Sequence, residues 1–267
     1  MTRQRLGQHW LSDYKYLVRI SDVLEAEHDE TCIEIGGGKG ALTRIISPNF
    51  KKVIVYEIDR KWAEHLREFK ENWRGEIEVR QKDALLIDWN RESLGLSFSE
   101  PLVITGNLPY YITSPLLLRL AYGEINFRRA IFLIQKEVAE KIASKPGQSE
   151  YGRLTVSLGA FLKSEKLFDI PPDAFKPPPK VMSSVIRFTR HKKPLIKAEL
   201  ASAFEKTVQA AFHMRRKTIK NNIIKAYPRI PADKLTEIFQ KTGIDPGSRA
   251  QESSVEKFIA LTKLLNE

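Results

Sequence analysis

The sequence predicts an α/β chain: a mostly parallel, Rossmann-like sheet flanked by helices, followed by a small C-terminal all-helical domain. Three observations predict it. Short apolar runs of strand length alternate with helical stripes through residues 1–190. A glycine cluster separates the first such run from the helix after it. Beyond residue 190 the strand signal stops, and only helical stripes punctuated by prolines continue.

The elements follow in order. Leu17, Ile20, Val23 and Leu24 fall on one helical face ahead of a first strand, Thr31–Ile35. A helix over 42–47 leads to a second strand, Lys52–Glu57, and a helix over 61–71 to a third, Ile77–Gln81. The apolar run 102–105 is a fourth strand. The next helix is expected after Ser114, with Pro115 in its first turn and Leu116, Leu117 and Leu120 on its buried face. A fifth strand spans 130–134, and a helix over 138–143 stops near Pro146-Gly147. Segment 154–162 suits helix or strand, with helix preferred. A late strand at 185–188 has 166–170 as its expected partner. His191-Lys192-Lys193-Pro194 reads as a linker, so the predicted domains are 1–190 and 191–267. In the second, Leu200, Phe204, Val208, Ala211 and Phe212 form one stripe, and Val255, Phe258, Leu261 and Leu264 another.

Four polar stations stand at the ends of the first four strands. The first is Gly36-Gly37-Gly38-Lys39-Gly40, where absent Cβ atoms let a ligand approach the backbone. Its spacing is Gly-x-Gly-x-Gly rather than the dinucleotide form, and no Gly-Lys-Ser/Thr is present. Such a loop fits S-adenosylmethionine better than NAD, although close helix–strand packing also asks for glycine. Glu57 stands 21 positions after Gly36, where an acid takes ribose hydroxyls. Asp83 could accept from an adenine amino group; taken singly it is an ordinary turn aspartate. The fourth station is Asn107-Leu108-Pro109-Tyr110. Asn107 offers an acceptor, Pro109 holds Leu108 extended, and Tyr110 supplies a flat ring. Two acceptors and an aromatic plate can grip the amino edge of a nucleobase, while a plain strand-to-helix turn explains the tetrapeptide equally well alone. Ligands of open parallel sheets sit outside the carboxyl ends of strands, and four such residues at four such ends argue for a site.

With these motifs in view, the chain resembles the small-subunit (16S-type) rRNA adenine N6,N6-dimethyltransferases, the KsgA type. Leu6-Gly7-Gln8-His9-Trp10-Leu11 is similar to that family's Gly-Gln-Asn-Phe-Leu, and Glu34–Gly40 to its Glu-Ile-Gly-Pro-Gly-x-Gly. Asn107–Tyr110 matches its catalytic motif, and Phe175-Lys176-Pro177-Pro178-Pro179-Lys180-Val181-Met182-Ser183 its Phe-x-Pro-Pro-Pro-Lys-Val-x-Ser. Arg215-Arg216-Lys217-Thr218 matches a basic C-terminal signature. His9 stands in place of Asn, and Gly37 in place of Pro. An imidazole can still donate, so His9 is expected to keep a cofactor contact, and Gly37 to loosen the loop without removing a ligand group.

The resemblance implies an S-adenosylmethionine site of Gln8, His9, Leu11, Gly36, Gly38, Glu57, Ile58, Asp83, Ala84 and Asn107. It implies a target-base site of Asn107, Leu108, Pro109, Tyr110 and Phe175, with the two rings on opposite base faces. It implies RNA contacts at Arg215, Arg216, Lys217 and Lys220, no metal, and two adjacent adenosines near the 3′ end of small-subunit rRNA as the target in immature subunits. Tyr111 is expected to pack. Trp10, Trp62, Trp73 and Trp89 are read first as packing residues, with a place near the cofactor mouth as the second reading for Trp10. Rival readings are a large-subunit rRNA methylase conferring antibiotic resistance, and a non-catalytic RNA-binding assembly or transcription factor on the same fold. Leu108, Thr113-Ser114-Pro115 and Arg215–Thr218 favour the small-subunit type.

Bulk properties agree. The formal charge is +11 with pI near 9.6, which favours an anionic partner. Residues 191–267 carry 15 Lys/Arg against 8 Asp/Glu, an excess of +7, and residues 1–190 carry 29 against 25, or +4. No apolar run has the length of a membrane span, and the first residues lack the apolar core of a signal peptide. A cytoplasmic monomer is expected. The single Cys32 lies inside a strand, so no disulfide framework is expected.

Overall fold

A computed structural model describes residues 9–97, 99–123 and 125–266. Gln8 lies outside the described residues. The elements are β1 (Trp10–Leu11), α1 (Tyr14–Val23), β2 (Thr31–Ile35), α2 (Thr43–Ile46), β3 (Lys52–Glu57), α3 (Arg60–Phe69), β4 (Ile77–Gln81), α4 (Arg91–Leu94), β5 (Leu102–Asn107), α5 (Tyr110–Tyr122), β6 (Arg129–Gln135), α6 (Lys136–Ala143), α7 (Arg153–Gly159), β7 (Leu162–Ile170), β8 (Phe175–Lys176), β9 (Ser183–Arg190), α8 (Ala201–Ala211), α9 (Ile219–Ala226), α10 (Ala232–Thr242) and α11 (Val255–Leu265).

Seven strands form one sheet in the order β4-β3-β2-β5-β6-β9-β7. The β4-β3, β3-β2, β2-β5 and β5-β6 pairs are parallel, and β9 runs antiparallel to β6. Every residue of β2 is buried, as expected of a central parallel strand covered on both faces. Strand order reverses beside β2: the chain steps to β3 on one side and returns to β5 on the other. A crevice opens at that point, above the carboxyl ends of the strands. Helix α1 starts at Asp13, whose side chain accepts from the Lys15 amide at 2.9 Å, and it buries Leu17 and Ile20. Helix α3 starts in the same way at Asp59 and buries Ala63 and Leu66.

The chain divides into two compact units, residues 1–139 with 164–190, and residues 140–163 with 191–267. The 190/191 division read from sequence coincides with one crossing of the chain. Segment 140–163 lies with the helical unit because it shares that unit's core. Tyr151, Val156 and Ala160 belong to the same cluster as Phe204, Val208, Ile223, Phe239 and Phe258, and the Tyr151 hydroxyl donates to the Ser253 carbonyl at 3.0 Å. Burial of such a Leu, Ile or Phe side chain contributes about 1.5–3 kcal/mol.

One local expectation is corrected, one holds in the main, and one pairing is new. Helix α5 begins at Tyr110, not after Ser114, and Pro115 sits inside it. Pro109, with φ −57° and ψ 143°, sets the extended residue from which the helix departs, and Thr113 Oγ1 donates to the Pro109 carbonyl at 3.2 Å. In segment 154–162 the preferred helix reading holds for 154–159, which lie in α7, while β7 starts only at Leu162. The short β1–β8 pair, Trp10 against Lys176 and Leu11 against Phe175, was not expected.

Candidate active site

The crevice is a cleft of about 900 Å³ of empty space, open to solvent, lined by residues of the first unit. It gathers His9, Gly36, Gly38, Glu57, Ile58, Asp83, Ala84, Asn107, Leu108, Pro109, Tyr110 and Phe175. These come from segments far apart in sequence, brought together by the strand ends and by β8.

The glycine turn forms one wall. Gly36 and Gly38 adopt φ +79° and +52°, a left-handed conformation that favours glycine. The Gly38 amide donates to Glu57 Oε2 at 2.8 Å, and the Asp59 amide to Glu57 Oε1 at 2.9 Å. The Glu57 carboxyl is therefore fixed at the end of β3. Burial raises its pKa, and the Asp59 and Gly38 amides oppose that rise. Gly37 has a packing cause: an added Cβ would meet Val55 Cγ1 at 2.4 Å and Leu66 Cδ1 at 2.9 Å. β3 and α3 fill the space a side chain would take.

Asp83 follows β4, and its Oδ1 accepts from the Leu85 amide at 2.9 Å. Ala84 beside it is buried at the cleft wall, and Ile58 is exposed at the rim. Leu11 is placed differently. It is buried in the core and lines a second cavity, adjacent to the cleft, not the cleft itself.

Asn107 ends β5. Its Nδ2 donates to the His9 carbonyl at 2.9 Å, which leaves Oδ1 as the acceptor of that side chain. The Leu108 amide donates to the Leu133 carbonyl at 3.0 Å, holding the next peptide against β6. Tyr110 is 39% exposed at the cleft, whereas Phe175 is only 3% exposed. The His9 ring lies 6.4 Å from the Tyr110 ring at 27°, and its Nδ1 is 2.9 Å from the Pro177 carbonyl. The imidazole thus touches the Phe175–Pro179 segment and Tyr110 as well as bordering the cleft. The Lys176-Pro177 peptide bond is cis.

Sequence reasoning missed several lining residues. Trp10 borders both cavities and covers the glycine turn; a Cβ on Gly38 would stand 2.9 Å from its Nε1. Tyr111 was expected to pack but is 52% exposed and lines the cleft. Glu34 lies buried inside β2 and lines the second cavity, with its Oε2 accepting from Thr43 Oγ1 at 2.6 Å. An acid inside an otherwise apolar strand was the signal for it.

The basic segment belongs to the second unit. Arg215 donates to the Ser149 carbonyl at 2.7 Å, Arg216 and Lys217 are exposed, and Lys220 is half-buried in the first turn of α9. No helix among the described residues is long and apolar enough to cross a membrane.

Comparison with known proteins adds the family. A family model described as ribosomal RNA adenine dimethylase matches residues 1–267. A protein of Nitrosospira multiformis named ribosomal RNA small subunit methyltransferase A is 38% identical over 99% of this chain and 96% of its own length. A protein of the same name from a Geobacillus species is 34% identical over 98% of this chain and 91% of its own length. Among solved structures, a dimethyladenosine transferase from Plasmodium falciparum shares the fold with TM-score 0.79 and 24% identity, over 95% of this chain and 96% of that one. The 23S rRNA methyltransferase ErmE matches with TM-score 0.70 and 28% identity, over 97% of this chain and 100% of that one.

Proposed function

This chain belongs to the ribosomal RNA adenine dimethylase family, and from that premise we propose that it dimethylates N6 of two adjacent adenosines near the 3′ end of small-subunit rRNA, acting as a cytoplasmic monomer on immature subunits. It is an S-adenosylmethionine-dependent methyltransferase. The small-subunit target is favoured by the curated relatives at 38% and 34% identity over nearly the whole chain, both named small subunit methyltransferase A.

The observation that carries the reading is the commitment of Asn107 Nδ2 to the His9 carbonyl. It fixes the carboxamide so that Oδ1 can only accept, in a cleft whose other wall holds Glu57 and Asp83. The residues present fit the cofactor: glycines with no Cβ line the approach, an immobilised carboxylate suits ribose hydroxyls, and Asp83 suits an adenine amino group. Bound S-adenosylmethionine supplies a methyl group on a sulfonium, an electrophile that leaves as a neutral thioether.

The N6 amine of adenine is a poor nucleophile because its lone pair is delocalised into the ring. Asn107 Oδ1 and the Leu108 carbonyl accept its two hydrogens and hold it out of the ring plane, which localises that pair. Tyr110 flanks one base face, a stack contributing about 1–3 kcal/mol, whereas Phe175, buried in the core, backs the cleft wall and offers no open ring face. The target base must leave its stack to enter the cleft. Alignment of amine and methyl can supply about 7–11 kcal/mol of the barrier. The transferred methyl leaves sulfur as it bonds to N6, the cationic amine so formed releases one proton to water in the open cleft, and the product keeps one N–H that one of the two acceptors holds for a second transfer.

Asn107→Ala tests this. In a single-turnover assay with labelled S-adenosylmethionine and unmethylated small subunits, methyl transfer should fall roughly a hundredfold or more. Calorimetry with S-adenosylhomocysteine should show the cofactor site still occupied. Undiminished transfer by the variant rejects the orienting role.

A further inference from the structure

We infer that the aromatic stripe of Trp62, His65 and Phe69 on α3 is a stacking track for unpaired nucleotides, and that it leads the RNA strand beside the target base away from the cleft. This rests on the reading of the cleft as the site of an RNA adenine methylase and deepens it. A helix covering a sheet needs one apolar face, and α3 supplies it with Ala63 and Leu66, both buried. Trp62, His65 and Phe69 follow at helical spacing on a second face. Trp62 and His65 are half-buried and Phe69 is 44% exposed.

The rings form a series that begins in the cleft. The Tyr110 ring lies 6.4 Å from that of His9, and the next residue, Trp10, also lines the cleft. The Trp10 ring centre is 5.4 Å from that of Trp62, which is 5.6 Å from His65, which in turn is 4.5 Å from Phe69. From Trp62 to Phe69 the series follows about 10 Å of helix, the length of about three stacked nucleotides. Cations stand at its cleft end. The ammonium groups of Lys61 and Lys39 are 5.2 and 5.7 Å from the Trp62 ring centre, and neither has an acidic partner among the described residues. Arg60 and Glu64 of the same helix pair with each other at 2.7 Å. Glu68 neighbours His65, which concentrates the attraction for phosphate at the Trp62 end. Ring faces accept any base, and ammonium groups beside them meet the backbone; together they are what a single strand needs. A protein partner would bury two ammonium groups without counter-charges, whereas an RNA backbone brings anions to them. A base drawn into the cleft leaves its neighbours without a stack on one side, and the stripe replaces what they lose.

The experiment is fluorescence anisotropy on the full chain at low salt with two probes, a labelled oligouridylate about eight nucleotides long and a short blunt RNA duplex. Uridines stack poorly on one another, so the gain from stacking on protein is read directly. His65→Leu with Phe69→Leu keeps apolar bulk and removes both rings. It should weaken the single strand about tenfold and leave the duplex, whose bases are already stacked, within about twofold. Phe69→Trp should bind the single strand within about twofold of the parent or more tightly. Unchanged S-adenosylhomocysteine binding by calorimetry reports an intact fold in each variant. Equal loss for both probes, no loss for the single strand, or a parent chain that does not bind oligouridylate overturns the track and leaves the methylase reading untouched. A parent chain that binds oligouridylate through these rings yet transfers no methyl group to small subunits removes the methylase reading and leaves the stacking surface standing.

Discussion

Glu34 sits inside β2 with no exposure to solvent beyond 2%, so its carboxyl titrates with the fold as its medium. Burial pushes its pKa up to about 7, against the Thr43 hydroxyl bond that lowers it and with the neighbouring Glu57 adding to the rise. The folded chain therefore holds a proton there between about 4.5 and about 7, while the unfolded chain has released it. Where the folded state binds more protons, stability falls as pH rises. Glu34 thus costs nothing at pH below its unfolded value, and its cost grows through that window to about 3 kcal/mol and is constant above it. Glu34→Gln keeps an oxygen for the Thr43 hydroxyl and removes the titration. Urea unfolding at pH 5 and pH 8 should show the pH-dependent loss reduced by about 2–3 kcal/mol in the variant. An unchanged difference between the two pH values shows that Glu34 is not the group responsible.

At the scale of elements, the buried clasp between α1, the β2 approach and β6 sets how rigidly the sheet is held. Arg129 at the start of β6 donates to Glu30 Oε2 at 2.8 Å and to the carbonyls of Leu24 and Glu25, and both charged side chains are almost wholly buried. Arg129→Leu leaves Glu30 with the half-exposed Arg128 at 3.2 Å and the Glu27 amide at 2.9 Å. Uncompensated buried charge costs about 3–5 kcal/mol, and the Arg128 contact places the expected loss near the lower end. Denaturant unfolding with an unchanged m-value and a lowered midpoint is the expected result; a loss below about 1 kcal/mol would show that the clasp is replaceable. The strands this clasp joins were legible because parallel strands buried on both faces write continuous apolar runs: β2, β3 and β6 stand where the runs do. β1 and β8 were not legible, since two-residue strands have no period, and their pairing joins segments about 165 residues apart. That pair carries Leu11 to Phe175. The early start of α5 was hidden by Pro115, which reads as a first-turn proline until the preceding Pro109 is weighed. The strand-end stations, by contrast, came from chemistry rather than period. Gly36, Glu57, Asp83 and Asn107 share one cleft because consecutive strand ends face one crevice. Tyr111 and Trp10 escaped because aromatic residues beside a motif fit a core as well as a cleft.

On the scale of the whole molecule, the charge of +11 favours an anionic partner, and its uneven division singles out the basic segment of the helical unit for test. Residues 191–267 hold +7 of it. Within the basic signature the side chains are not equivalent. Arg215 is bonded to the Ser149 carbonyl and reaches that of Tyr151 at 3.5 Å, so it fastens the 149–151 segment to the helical unit. Arg216 and Lys217 are exposed beside it, where phosphate oxygens can reach them. Each cation that neutralises a phosphate releases counterions, and the salt slope of RNA binding counts those contacts at about 0.7–0.9 per phosphate. Arg216→Ala with Lys217→Ala should therefore weaken binding to a small-subunit rRNA fragment evenly across sequences and flatten the slope by about one to two. Cofactor affinity, set in the other unit, should not move. Arg215→Ala should instead lower the thermal midpoint, because it removes backbone anchors as well as a charge. Filter binding across a salt series measures the first effect and a melting curve the second. A double variant with the parent's slope would mean that these two cations do not meet phosphate, and that the basic excess of the helical unit acts through other residues.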